Sequence, residues 1–147
     1  MFFMKGVKGM KSMKRDMTAA LIVRWEKILL VHNRKHGGLR IEPPGGKVHK
    51  GEGFEESVVR EAAEELGVAV RPVRLFGRYD THSPEGGFVV RLYLCEITSG
   101  EPRVMEPDKI PEFGWYTVGE MERFRDDGTL VPNMVEALGE IREYIGA

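Results

Sequence analysis

The chain has 147 residues, of which 41% are hydrophobic and 31% charged, and 22 basic side chains nearly balance 23 acidic ones. This length predicts one domain whose core is large enough to need no disulfide or metal for folding. The single cysteine, Cys95, excludes a disulfide framework and favours a cytoplasmic location, and no apolar run is long enough to predict a membrane span.

The charges are unevenly distributed along the chain. Residues 1–16 carry five basic side chains against one acidic side chain and show no hydrophobic period. They predict a flexible basic tail in front of a single domain at residues 17–147. The domain itself is mildly acidic, which argues against a nucleic-acid polymer as its partner.

The first predicted elements are strands. Apolar, β-branched runs at 18–24 and 28–33 predict a hairpin with its turn at 25–27, and a short strand follows at 39–42. The next four residues are Pro43-Pro44-Gly45-Gly46. We expect a loop there, because consecutive prolines lack hydrogen-bond donors and glycines accept positive φ.

The clearest predicted helix covers residues 55–66, since apolar residues recur there every three or four positions and Gly67 follows. We expect its apolar face to consist of Val58, Val59, Ala62, Ala63 and Leu66. Its glutamates should lie on the opposite side.

The second half of the chain predicts further strands and one more helix. Two longer strands are expected at 68–79 and 88–97, joined by a turn at 81–87. A loop at 101–111, a short strand at 113–117 and an amphipathic helix at 134–145 follow. The order β-β-β-α-β-β-β-α predicts an α/β (α+β) fold, with a mixed sheet covered by helices.

Three glutamates of the first helix are the main candidate site. Glu61, Glu64 and Glu65 share about 100° of the helix circumference. Such a group forms either a solvated acidic face or an oxygen-rich metal site. Arg60 lies within the group, and Glu52 precedes it across a glycine-containing turn. Carboxylates with nearby backbone carbonyls suit Mg²⁺ or Mn²⁺ bridging phosphate oxygens.

The segment from Gly46 to Val68 resembles the signature of the Nudix hydrolases. That signature is a Gly, five residues, a Glu, seven residues, and then Arg-Glu-aliphatic-any-Glu-Glu-any-Gly-aliphatic. Every fixed position is matched over 23 residues, and Ala62 is small where the family often has a larger aliphatic residue. The resemblance implies a Nudix-type α/β/α sandwich with a mixed sheet between helices.

The resemblance also implies an activity, the metal-dependent hydrolysis of a nucleoside diphosphate linked to another group. By match of motif position, it implies that Glu61, Glu64, Glu65 and the Gly45 carbonyl bind Mg²⁺, with Mn²⁺ as a possible substitute. Glu52 and Arg60 would pair to hold the loop against the helix. Whether Glu61 instead orients or deprotonates the attacking water stays open.

Weaker similarities bear on the substrate. The segment around Glu106 and Glu112 resembles the acidic loop of MutT-like nucleoside triphosphate pyrophosphatases, so either could supply a further ligand or base. Asn133 lies where such enzymes use an asparagine to recognise a purine, although it could equally cap the last helix. These similarities favour hydrolysis of a (deoxy)nucleoside triphosphate to the monophosphate and pyrophosphate. Separately, we expect a monomer or a homodimer, between which the sequence does not decide.

Two alternatives remain open. Pro84 lies sixteen residues beyond the signature, a spacing similar to a marker of ADP-ribose pyrophosphatases, although a proline there could simply shape a turn. Such an enzyme would release AMP and ribose 5-phosphate. A non-catalytic nucleotide-binding module is the least favoured alternative, because no glutamate of the signature is missing.

Overall fold

A long first strand, β1 (Arg15–Arg24), joins the two halves of a mixed sheet in the computed structural model, which describes residues 14–146. Residues 15–22 of β1 pair in parallel with β6 (Gly86–Ser99). On its other side, β1 pairs antiparallel with the short strand β4 (Gly45–Lys47). The sheet is therefore built around β1.

The predicted hairpin is confirmed. The end of β1 pairs antiparallel with β2 (Lys27–Asn33), and the turn residues Trp25 and Glu26 both have positive φ, 51° and 63°. Two successive left-handed residues are typical of the tight turn that matches the twist of paired strands.

The remaining elements complete a layered fold. In chain order they are β3 (Arg40–Glu42), α1 (Phe54–Leu66), β5 (Ala69–Ser83), β7 (Glu112–Tyr116), α2 (Val118–Asp126) and α3 (Pro132–Ile145). The strand order is β3-β2-β1-β6-β5, with β7 against β2. One core packs α1 on one face of the sheet, and a second core packs α2 and α3 on the other. The predicted mixed sheet between helices is thus confirmed.

Two of the predicted loops are partly strand. Gly45 and Gly46 belong to β4, because two residues without side chains let the backbone pass against β1. A Cβ on Gly45 would lie 2.2 Å from the Thr18 carbonyl oxygen. The expected turn at 81–87 is also shorter, since the β5–β6 pairing continues to Ser83 and Gly86.

The predicted apolar face of α1 is partly wrong. Val59 is 37% exposed and Ala63 is exposed, whereas Glu61 and Glu65 are buried together with Val58, Ala62 and Leu66. The helix turns two of its carboxylates inward, which a hydrophobic period alone does not predict.

Helix α2 was not predicted. It begins at a capping box, in which the Thr117 hydroxyl accepts from the Glu120 backbone N–H and the Glu120 carboxylate accepts from the Thr117 N–H. The Thr-x-x-Glu spacing is the sequence signal that could have revealed it.

The proposed tail lies largely outside the described residues. Of residues 1–16, the structure describes the last three, and β1 begins at Arg15, two residues before the expected domain boundary. Asp16 pairs with Arg91 of β6, and Lys14 pairs with Asp80 of β5. No helix within residues 14–146 has the length and apolar character needed to cross a membrane.

We expect Thr81→Val to stabilise the protein. The Thr81 hydroxyl is buried and has no hydrogen-bond partner among residues 14–146, a state that costs about 1–3 kcal/mol for a polar group. Valine has nearly the same shape and favours strands. The free energy of unfolding should rise by about 1 kcal/mol and the Tm by about 3 °C, as measured by urea and thermal denaturation.

Thr18→Val is the matched control. Its hydroxyl lies 2.7 Å from the buried Ser57 hydroxyl, so its removal leaves Ser57 without that partner and should destabilise the protein. A loss of stability in both variants would contradict the assignment for Thr81.

Candidate active site

The loop before α1 is fastened to the helix by Arg60. Its Nε and Nη2 donate to the two carboxylate oxygens of Glu52 at 2.7 and 3.0 Å, and Nη2 also donates to the Lys47 carbonyl at 3.0 Å. Glu52 accepts a further bond from the His49 N–H. The hydrogen bonds from Arg60 hold the pKa of Glu52 down at about 2. The predicted Glu52–Arg60 contact is therefore present in the structure.

Two further carboxylates contact the same guanidinium. Arg60 Nη1 donates to Glu61 at 3.0 Å and to Glu64 at 3.1 Å. The Glu61 side chain is 12% exposed and that of Glu64 is 51% exposed, so Glu64 alone of these two faces solvent. Burial raises the pKa of Glu61, against the opposing effect of Arg60.

Glu65 lies deeper, beneath the glycine strand. It accepts a hydrogen bond from the Gly45 N–H at 3.1 Å, and burial raises its pKa well above the usual range. The negative charges of Glu61, Glu42 and Glu106 raise that pKa further. Four carboxylates therefore concentrate negative charge at one place, which we call the carboxylate cluster: Glu42, Glu61, Glu65 and Glu106.

Gly46 is required by the approach of this strand to the helix. A Cβ at Gly46 would lie 2.4 Å from a carboxylate oxygen of Glu61. Because that distance is far below van der Waals contact, any side chain would displace Glu61. The paired glycines thus bring backbone amides and carbonyls against the glutamates of α1.

The oxygen donors of Glu61, Glu64 and Glu65 are of the kind that a divalent cation prefers, although two of these side chains contact Arg60 in the structure. Within residues 14–146, no three carboxylate, histidine or cysteine side chains are grouped to hold a metal ion. Oxygens of Glu61 and Glu64 are instead hydrogen-bonded to Arg60. The carboxylates nevertheless supply hard oxygen donors. Burial raises the pKa of Glu61 and Glu65, and neighbouring carboxylates raise both pKa values further, so a cation would compensate the negative charge gathered here.

The carboxylate cluster opens into a pocket of about 280 Å³. Asn133 and Glu106 both line it, as predicted for a substrate contact and a further acid. Asn133 does not cap α3, because the cap is Val131 and Pro132 occupies the first turn. The Asn133 side chain is buried and makes no hydrogen bond to another residue in the described part of the chain.

Glu112 is not brought to the pocket. It begins β7, its side chain is 66% exposed, and its carboxylate lies 3.8 Å from Nδ1 of His32. His32 in turn bonds the Tyr116 hydroxyl at 2.7 Å. Of the two loop glutamates, Glu106 therefore lies at the pocket and Glu112 does not.

Sequence reasoning missed several residues of the pocket. Glu42 accepts a hydrogen bond from Asn33 at 2.6 Å, and burial raises its pKa. Its position directly before the Pro-Pro-Gly-Gly segment is the signal that could have found it. Basic side chains also line the pocket, namely Lys35, His36, Arg40, Lys47 and Lys109. Only their proximity in three dimensions reveals them, because they come from separate segments.

We expect Glu52→Gln to destabilise the protein by about 2 kcal/mol at pH 7, because the charged hydrogen bonds to Arg60 are lost. The pKa of Glu52 is depressed in the folded state, so its contribution is complete above about pH 4.5 and disappears as the pH falls towards 2. The difference between the two proteins in urea denaturation should therefore shrink between pH 5 and pH 2.5. A difference independent of pH would contradict this role.

Comparison with known proteins gives a consistent picture. Residues 13–138 match the family model for the NUDIX domain. The chain is 32% identical over 123 residues to an NAD-capped RNA hydrolase, NudC, of Mannheimia succiniciproducens, covering 79% of this chain but 45% of that protein. It is 33% identical over 94 residues to the 8-oxo-dGTP diphosphatase of Escherichia coli K12, covering 61% of this chain and 73% of that protein.

Solved structures with the same fold agree. A NUDIX hydrolase from Nitrosomonas europaea superposes with a TM-score of 0.76 at 21% identity, covering 90% of both chains. A MutT NUDIX hydrolase from Burkholderia pseudomallei superposes with a TM-score of 0.66 at 35% identity, covering 74% of this chain and 86% of that one. The likeness extends over both the sheet and the helices.

Proposed function

The chain belongs to the Nudix hydrolase family, and we propose that within it the protein hydrolyses a (deoxy)nucleoside triphosphate to the monophosphate and pyrophosphate. The observation that carries this proposal is the pocket itself. It sets the carboxylate cluster beside basic side chains and Asn133, whose side chain bonds no other residue within the described range 14–146. A polyphosphate and a nucleobase are the ligands that such a combination suits.

Nudix hydrolases use divalent metal ions, and the ion proposed here is Mg²⁺, with Mn²⁺ as a substitute. Glu61, Glu64, Glu65 and the Gly45 carbonyl are the residues proposed to hold it. When bound, the ion neutralises the polyphosphate and lowers the pKa of a water molecule. The Gly45 N–H and Arg60 orient these carboxylates through the hydrogen bonds described above.

Glu106 is the proposed base of the reaction, with Glu61 as the alternative. Glu106 lines the pocket and has no ion pair in the described part of the chain, so its carboxylate is available to accept a proton. One carboxylate oxygen of Glu61 already accepts a hydrogen bond from Arg60, which leaves that oxygen less accessible to a water molecule. A base that belongs to the carboxylate cluster would orient the attacking water for in-line displacement at phosphorus.

Asn133 is the proposed contact for the nucleobase. Its amide offers both a donor and an acceptor, which is the pattern needed to recognise a purine edge. Because the Asn133 side chain lines the pocket and makes no hydrogen bond to another residue among 14–146, its amide can bond a ligand. The pocket of about 280 Å³ places Asn133 in the same concavity as the carboxylate cluster, so one ligand could contact both.

A second candidate is hydrolysis of a nucleoside diphosphate linked to another group, such as ADP-ribose. It is favoured by the similarity to NAD-capped RNA hydrolases, of which this chain spans less than half the length. Pro84 at the turn between β5 and β6 is compatible with either substrate class. The ADP-ribose reaction would yield AMP and ribose 5-phosphate.

Product analysis distinguishes the two candidates. The protein is incubated with Mg²⁺ and, separately, nucleoside triphosphates, ADP-ribose, NAD and an NAD-capped RNA, and the products are identified by chromatography. Pyrophosphate with a nucleoside monophosphate supports the first candidate, and AMP with ribose 5-phosphate supports the second. Preferred cleavage of capped RNA would contradict the small-molecule proposal.

The expected oligomeric state, a monomer or a homodimer, is tested separately by light scattering.

Glu65→Gln tests the metal assignment. We expect Mg²⁺-dependent hydrolysis to fall by about a hundredfold or more, because a ligand is lost. The pKa of Glu65 is raised in the folded state, so the fold favours the protonated carboxyl group. This contribution to stability is complete below about pH 4.5 and is lost as the pH rises and the buried carboxylate ionises. The metal-free variant should therefore be more stable than the parent at pH 8.

The metal itself provides a second measurement. Mg²⁺ should raise the Tm of the parent protein but not that of Glu65→Gln, since a ligand stabilises only the state that binds it. The control is Glu96→Gln, which removes the same charge from an exposed pair with Arg71 on the sheet. Equal turnover and an equal Mg²⁺ effect in Glu65→Gln and the parent would refute the assignment.

A further inference from the structure

The turn between β5 and β6 inserts a carboxylate among basic side chains of the pocket. Glu85 forms an ion pair with Nζ of Lys47, and its other oxygen lies 4.0 Å from both Nζ of Lys35 and Nε2 of His36. All four residues line the pocket. We call Lys35, His36 and Lys47 the cationic cluster.

The position of the turn does not depend on the Glu85 side chain alone. Arg15 donates to the Glu85 carbonyl at 2.7 Å, and Arg40 donates to the His82 carbonyl at 3.3 Å. The pairing of Ser83 with Gly86 closes the hairpin. Neutralising the carboxylate should therefore leave the turn in place.

The cationic cluster is suited to an anion larger than one carboxylate. It gathers three basic side chains from two segments around the Glu85 carboxylate, and its two lysines alone outweigh the single negative charge of Glu85. The Lys47 contact lowers the pKa of Glu85, which keeps this acid ionised. Side chains of Glu85, Lys35 and Lys47 are 31%, 45% and 43% exposed. Ion pairs this exposed are weak and exchange readily.

We propose that Glu85 is a specificity-determining residue, whose carboxylate occupies a phosphate subsite formed by Lys35, His36 and Lys47 until a phosphate group of the substrate displaces it. This inference rests on the proposed function, which supplies a polyphosphate substrate. A phosphate group can accept the same hydrogen bonds as the carboxylate and carries more negative charge.

Competition with an internal acid has a consequence for selectivity. A ligand with several phosphate groups gains more from the cationic cluster than a monophosphate does, so it displaces Glu85 more effectively. Glu85 thereby favours polyphosphates over the nucleoside monophosphate. It also assists release of that product.

The test compares Glu85→Gln with the parent in binding inorganic pyrophosphate, measured by titration calorimetry without turnover. Removal of the competing charge should strengthen pyrophosphate binding by about fivefold, and the gain should decline as ionic strength rises. Glu96→Gln removes one negative charge outside the pocket and should bind pyrophosphate like the parent. The double variant Glu85→Gln/Lys47→Met should lose this gain in pyrophosphate affinity, because one of the lysines that would bind the phosphate is removed.

Unchanged or weaker pyrophosphate binding by Glu85→Gln would overturn the inference, since it would make Glu85 a support for the lysines rather than a competitor. A gain of equal size in Glu96→Gln would also overturn it, as an effect of net charge. The calorimetric result is independent of hydrolysis. If no nucleotide is cleaved but Glu85→Gln still binds pyrophosphate more tightly, the proposed function fails and the subsite remains.

Discussion

The guanidinium of Arg60 holds the candidate site together. Its five N–H groups make five hydrogen bonds, two to Glu52 and one each to Glu61, Glu64 and the Lys47 carbonyl. Because an arginine has five donors, none is left over. One side chain therefore fixes the loop, strand β4 and helix α1 relative to one another.

This saturation of Arg60 leaves much of the surrounding negative charge uncompensated. Glu65 receives one backbone N–H, and Glu42 receives one amide from Asn33. Burying these two carboxylates is unfavourable when they are ionised. The apolar contacts between α1 and β1 contribute the stabilising free energy that offsets this cost. The site thus combines a rigid frame with carboxylates whose ionisation is opposed by their surroundings.

Much of the fold and the centre of the site could be predicted from local patterns. The hairpin, helix α1 and the contact between Glu52 and Arg60 follow from periodicity and from a signature with fixed spacing. Local patterns predicted the wrong exposure for Val59 and Glu61, because the side of α1 that faces the sheet depends on where β4 passes. They also could not reveal Glu42 or the cationic cluster, which come together only when distant segments pack.

The parallel pairing of β1 with β6 also has a consequence for the order in which the chain can fold. Arg15 lies opposite Phe88 and Ile22 opposite Cys95, so residues 15–22 of β1 each pair with a residue roughly seventy positions later. During synthesis, β1 cannot form its parallel pairing until the ribosome has released β6. Contacts of such long range slow folding. The strand that organises the finished sheet is thus made well before the strand that completes its pairing.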